Sequence, residues 1–146
     1  MAVMRTPPPS HNPPTKELLD ACDSLGMLVM DENRLLNSSA QYMHDFEWLI
    51  KRDRSRASVF LWSIGNEEGW VHNNGTGKLI ALSLLAKQKE LDPTRTSTYA
   101  ADNGKQFLGI NEVIPVRSFN YRHLAVEEYH KQHPNQPLMG TEMGST

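Results

Sequence analysis

What this sequence has little of narrows its function before any motif is read. One cysteine, Cys22, stands in 146 residues, so no intramolecular disulfide can form, and its thiol is expected to pack on a helix. Charge of neither sign predominates: 15 Lys and Arg against 17 Asp and Glu leave a formal net charge of −2. A nucleic-acid partner is therefore not expected, because such a surface needs a concentrated basic stripe. No apolar run approaches the roughly 20 residues that cross a bilayer, so no membrane partner is expected either. The amino terminus runs Met1-Ala2-Val3-Met4-Arg5-Thr6 into prolines and lacks the apolar region of a secretory signal; cellular location cannot be read from it. Internal repeats are absent, and the only biased segments are Pro7-Pro8-Pro9 and Pro13-Pro14, which read as a stiff loop. The chain reads as one soluble globular unit or part of one.

What is present is an alternation of short apolar runs with amphipathic segments, the pattern of repeated βα units around a parallel sheet. Buried parallel strands are continuously apolar. Met27-Leu28-Val29-Met30 and Val59-Phe60-Leu61-Trp62-Ser63-Ile64 fit that description and run straight into Asp31-Glu32 and Asn66-Glu67-Glu68. Shorter strands are expected at residues 2–4, 96–99, 113–119 and 138–141, the segment 113–119 being broken in its apolar pattern by Pro115 and Arg117. The first helix places Leu18, Leu19, Cys22 and Leu25 on one face, with Thr15 as N-cap and Gly26 as its left-handed stop. Others are expected at about 41–52, ending in the solvated basic run Lys51-Arg52-Asp53-Arg54, at about 78–91, stopped by Asp92-Pro93, and at about 125–133. Six strands and four helices make an α/β fold too short for a closed eight-stranded barrel, which takes roughly 250 residues.

Polar residues at the carboxyl ends of strands suggest catalysis. A retaining glycosidase needs two carboxyls about 5 to 5.5 Å apart across the scissile bond. They must come from different strand ends facing each other over a barrel mouth. Glu67 follows the strongest strand and Glu142 the last one. On this ground alone, ordinary loop carboxylates explain both positions as well as catalysis does.

A series of motifs weighs on that choice. Arg5-Thr6, then Ser10-His11-Asn12-Pro13-Pro14, then Glu17-Leu18-Leu19-Asp20 with Asp23 and Gly26 resemble the second-to-third-strand region of glycoside hydrolase family 2, which contains β-galactosidases, β-glucuronidases and β-mannosidases. Met30-Asp31-Glu32 resembles its third-strand ending. Arg52-Asp53-Arg54, Ser58-Val59 and Trp62-Ser63-Ile64-Gly65-Asn66-Glu67 resemble its acid/base signature. Phe119-Asn120-Tyr121 resembles the sixth-strand ending, and Pro137-Leu138-Met139-Gly140-Thr141-Glu142 the seventh, which carries the nucleophile.

The resemblance implies an incomplete (β/α)8 TIM barrel over residues 1–146, running from the second strand through the seventh, with the first and eighth strands and the flanking β-sandwich domains outside the chain. It implies Glu67 as acid/base and Glu142 as nucleophile, with a carbohydrate substrate contacted by Asn66, His11, Tyr121 and Trp70. Hydrolysis of terminal β-linked sugars with retention, foremost β-galactosides, follows as the expected activity, weak or absent in this chain by itself. A β-glucuronidase or β-mannosidase, or a non-catalytic carbohydrate-binding remnant, are the alternatives. No cofactor is implied. The magnesium-ligating Glu-x-His of some relatives is replaced by Asn33-Arg34-Leu35-Leu36-Asn37, so no metal is expected. Open barrel edges would favour association.

Other candidates receive plainer roles. Glu68 does not directly follow the asparagine and is expected to support the loop. Asp31 and Glu32 are expected to pair with Arg5 or Arg34 beneath the site, and Trp62 to lie in the core. His44, His72, His123, His130 and His133 show no convincing metal spacing.

Overall fold

The structure, a computed structural model, describes residues 3–5 (backbone alone), 11–101 and 106–144. The Pro7-Pro8-Pro9 segment and the Arg5 side chain, and with the latter its expected pairing to Asp31 or Glu32, lie outside the described residues. Six parallel strands form one sheet in sequence order: β1 (Val3–Arg5), β2 (Leu28–Glu32), β3 (Val59–Asn66), β4 (Ser97–Ala101), β5 (Val116–Phe119) and β6 (Leu138–Gly140). The crossovers carry α1 (Lys16–Leu25), α2 (Ala40–Asp53), α3 (Gly75–Leu91) and α4 (His123–Gln132). When strands follow one another in order, right-handed crossovers return each helix to the same face. The result is a wall of a β/α barrel, helices outside and strand ends gathered on one rim, as expected.

Local chemistry accounts for the element ends. Thr15 Oγ1 accepts from the Leu18 N–H at 3.3 Å, and Gly26 closes α1 in the left-handed conformation, φ 67°. The third helix begins at Gly75 rather than near 78, because Asn74 Oδ1 accepts from the Gly77 N–H at 3.0 Å and caps it. Two glycines in that first turn hide the start from a propensity reading.

The strand expected over 113–119 starts only at Val116. Upstream, Gly109–Glu112 forms a 3-10 turn, and Gln136 Nε2 donates to the Asn111 and Ile114 carbonyls at 3.1 and 2.8 Å. Those carbonyls are thus engaged away from a strand ladder, and Pro115 has no N–H to lend one. Arg117 stays in the strand although it is charged and fully buried. Its guanidinium donates to the Ser118 carbonyl and lies 4.3 Å from the Phe119 ring centroid.

Alternation along the strands splits the side chains between two faces. Toward the helices, Val29, Trp62, Ile64, Tyr99 and Ala101 pack against Leu19, Cys22, Phe46, Leu49, Ile50, Ala81 and Leu84 in the main core. Phe119, Ala125 and Tyr129 form a second cluster under α4. The inner face carries Met30 and Glu32 from β2, Leu61 and Ser63 from β3, Thr98 and Ala100 from β4, and Ser118 from β5, all buried.

This split separates two acidic neighbours that were expected to act together. Glu32 faces inward. Asp31 faces α2, where burial first, and the Asp53 carboxyl second, raise it well above the ordinary carboxylate range; Arg52 opposes the shift. The basic run that ends α2 is accordingly not a simple solvated end. Asp53 is fully buried, and Arg52 donates to it and to the Pro14 carbonyl at 2.8 Å. Arg34 stands exposed.

A pH dependence follows from Asp31. The folded chain keeps a proton there that the unfolded chain has already released, so this group's contribution to stability declines as pH rises from the ordinary carboxylate range toward the folded value. Melting temperatures measured across that interval are expected to fall more steeply for the parent chain than for Asp31→Asn. Parallel curves would refute the assignment.

Candidate active site

Four strand ends build the site. At the end of β2, Glu32 accepts from Ser63 Oγ at 3.2 Å, and its other oxygen lies 3.3 Å from His11 Nδ1. His11 reaches it from the loop after β1, and its side chain is 37% exposed against 1% for Glu32. His11, expected to contact substrate, thus meets the Glu32 carboxylate.

Beyond β3, the Glu67 N–H donates to the Ala100 carbonyl at 3.0 Å, continuing the ladder one residue past the strand. Glu68 turns away. Its carboxylate accepts from the Leu36 N–H at 2.9 Å and its own N–H donates to the Tyr99 hydroxyl at 2.8 Å, tying the loop after β2 to the loop after β3. Burial raises the Glu68 carboxyl, and burial together with the Glu68 charge pushes the Tyr99 phenol far up. Gly65 is required by this closeness, since a Cβ there would lie 2.9 Å from Leu36 Cβ and 3.0 Å from Leu36 N. Trp70, farther along the same loop, is 74% exposed, as a sugar-stacking indole must be. Trp62 is buried as expected, its indole N–H donating to Asp92 Oδ2 at 3.0 Å.

Asn120, just past β5, connects the two halves. Its Nδ2 donates to Asn66 Oδ1 at 3.0 Å and to Glu67 Oε1 at 2.8 Å. Its Oδ1 accepts from Thr141 Oγ1 at 2.6 Å and from the Glu142 N–H at 3.3 Å. Strand β4 lies between β3 and β5, so this reach spans β4, where Ala100, in register with Asn66 and Ser118, turns a single methyl inward. Next to Asn120, the Tyr121 N–H donates to the Glu142 carbonyl at 2.9 Å and the Tyr121 hydroxyl donates to the Glu142 carboxylate.

Asn66, Glu67, Tyr121 and Glu142 thus meet around one amide, while His11 and Trp70 lie apart from it. Asn120 and Thr141 stand in the sequence motifs without a role of their own. The signal for Asn120 is an asparagine two positions after inward-facing Ser118, at a strand end as Asn66 is. Among the described residues, the non-glycine positions with left-handed φ are His11 (75°), Glu67 (58°) and Tyr121 (58°). Such backbone is sparsely populated and clusters at functional sites. Also among the described residues, no group of three or more His, Cys, Asp or Glu is placed to hold a metal.

Two carboxyls from separate strands, one receiving an amide N–H and the other a phenolic O–H, can divide proton transfer and nucleophilic attack between them. Comparison with known proteins places the chain in a family of glycosidases. The family model for glycosyl hydrolases family 2, TIM barrel domain, matches residues 37–146. The chain is 47% identical over 111 residues to the β-galactosidase BoGH2A of Bacteroides ovatus, covering 66% of this chain and 13% of that protein. It is 27% identical over 166 residues to human β-glucuronidase, covering 93% of this chain and 25% of that protein. A crystal structure of a glycosyl hydrolase family 2 member from Bacteroides cellulosilyticus superimposes with a TM-score of 0.74 at 32% identity, covering 90% of this chain and 19% of the other. The chain therefore spans a quarter or less of these relatives.

Proposed function

We infer that this chain, which belongs to glycosyl hydrolase family 2 through its TIM barrel domain, supplies both catalytic carboxyls of a retaining β-glycosidase. The observation that carries the reading is the convergence of Glu67 and Glu142 on the two ends of the Asn120 amide. Glu142 attacks the anomeric carbon while Glu67 gives its proton to the departing glycosidic oxygen, leaving a glycosyl ester on Glu142. Glu67, now ionised, takes a proton from water, whose oxygen attacks the same carbon and releases Glu142. Tyr121 holds the Glu142 carboxylate in its attacking rotamer. Asn66 contacts the sugar 2-hydroxyl, Trp70 offers a face for stacking, and His11 orders the rim through Glu32.

The sugar is a terminal β-galactoside, in line with the 47% identity to a β-galactosidase. A β-glucuronide is the second reading, because proteins of that name are also among the relatives. The six strands correspond to the second through seventh of the barrel, with the first and eighth supplied by residues outside this chain.

The test is to assay the chain and an eight-stranded extension on aryl β-galactosides and β-glucuronides, following the anomeric proton of the first-formed sugar by NMR. Initial release of the β-anomer supports the double displacement. Initial release of the α-anomer would overturn it, and preference for the glucuronide would exchange the two substrate readings.

A further inference from the structure

Asn120 makes and breaks no bond in that reaction, yet it touches both halves of the site. It is fully buried. A carboxamide has two N–H donors and two acceptor lone pairs, and here all four are engaged. The donors serve Asn66 Oδ1 and Glu67 Oε1, and the acceptors serve Thr141 Oγ1 and the Glu142 N–H. The direction of the amide is fixed from both ends. Turned over, it would set its oxygen against a carboxylate and its NH2 group against a backbone N–H.

We propose that Asn120 is a positioning residue that sets the separation and relative orientation of Glu67 and Glu142, acting through the direction of its carboxamide rather than through its volume. The inference rests on the two-carboxyl reading above. Its physical basis is that the two glutamates are carried on β3 and β6, which are not neighbours. The ladder fixes the backbone at each strand end, through Glu67 N–H to the Ala100 carbonyl at 3.0 Å and Asn120 N–H to the Ala101 carbonyl at 3.1 Å. It does not fix how a side chain past β3 faces a residue past β6. The Asn120 amide does, by bonding directly to the carboxylate of one and the peptide N–H of the other. Glu67 and Tyr121 flank this link with left-handed backbone, a conformation that persists only where the surroundings over-determine it.

Two variants of conserved shape test the inference. Asn120→Asp keeps an acceptor toward Thr141 and Glu142 but turns the donor facing Glu67 into an acceptor. Thr141→Val removes one donor from the nucleophile side. Crystal structures of both in this chain report the carboxyl separation, and kinetics of both in the eight-stranded extension report its use. For Asn120→Asp the carboxyls are expected to part by about 1 Å and kcat to fall about 10²-fold. KM is expected to stay within about threefold, since substrate contacts are not those removed. The loss should be larger for aryl glycosides with poor leaving groups, because the disturbed partner is the proton donor. Thr141→Val is expected to lower kcat about fivefold, the worth of one hydrogen bond.

An unchanged separation in Asn120→Asp, or a loss equal across leaving groups, would reduce Asn120 to ordinary buried support and overturn the inference. Should Asn120→Asp not fold, Thr141→Val decides, and unaltered kcat and separation there would overturn it equally. If the unsubstituted extension hydrolyses no aryl glycoside, the glycosidase reading fails instead, and the carboxyl separation in the variants still judges the role of Asn120.

Discussion

Replacement of Glu142 by glutamine is expected to lower kcat by roughly 10⁴-fold or more on every aryl β-glycoside that the eight-stranded protein accepts, because no attacking oxygen remains to form the glycosyl ester. The change leaves the surroundings in place. The Glu142 N–H still donates to Asn120 Oδ1, the Tyr121 N–H still donates to the Glu142 carbonyl, and an amide oxygen can still accept from the Tyr121 hydroxyl. Melting should therefore shift little, by no more than about 1 kcal/mol in stability, the scale of one hydrogen bond. Mass spectrometry supplies the direct reading. With a 2-deoxy-2-fluoro glycoside, the unsubstituted protein should gain the mass of one sugar on the peptide carrying Glu142, and Glu142→Gln should gain none. Full activity in Glu142→Gln, or labelling on another carboxylate, would refute the assignment of the nucleophile.

Glu67→Gln should behave differently, and the contrast identifies the two roles. Loss of the acid costs about 10²- to 10⁴-fold where the leaving group needs a proton. A dinitrophenolate leaves without one, so the first step with that aglycone should be nearly unimpaired, and the second step, which needs a base to activate water, should become limiting. The glycosyl ester would then accumulate as a burst. Azide, which is already an anion and needs no base, should restore turnover and yield a β-glycosyl azide. Equal loss with good and poor leaving groups, together with no effect of azide, would remove Glu67 from the acid/base role. Glu68 is not a substitute, because its carboxylate is committed to the Leu36 N–H.

How far these positions could be read from the sequence depended on whether the deciding interaction was local. Thr15 and Gly26 bounded α1 because a cap and a left-handed stop are decided within a few residues. The buried strands β2 and β3 declared themselves as apolar runs. The start of β5 did not, because residues before Val116 are governed by Gln136, more than twenty positions later. Period-two alternation puts Asp31 and Glu32 on opposite faces, so one pairing beneath the site cannot serve both.

Motif order pointed to Asn66, Glu67, Tyr121 and Glu142. What joins them was illegible, because Asn120 bonds to residues 53 and 54 positions before it and to others 21 and 22 after it. The left-handed backbone at Glu67 and Tyr121 was equally hidden, since neither is a glycine.

The methyl group of Ala100 bears on how this sequence can change over generations. It lies on the inner face of β4, the strand that the Asn120 amide spans to reach β3, and it is fully buried. A valine or leucine appearing there would look harmless, as one apolar interior residue exchanged for another in a strand that favours branched side chains. Its added carbons would crowd the space that the amide spans and disturb two glutamates, one of which position 100 meets only through its backbone carbonyl. Position 100 is thus held to a small residue by the chemistry of its neighbours. Drift at this buried, unreactive site would erode activity before it eroded the fold.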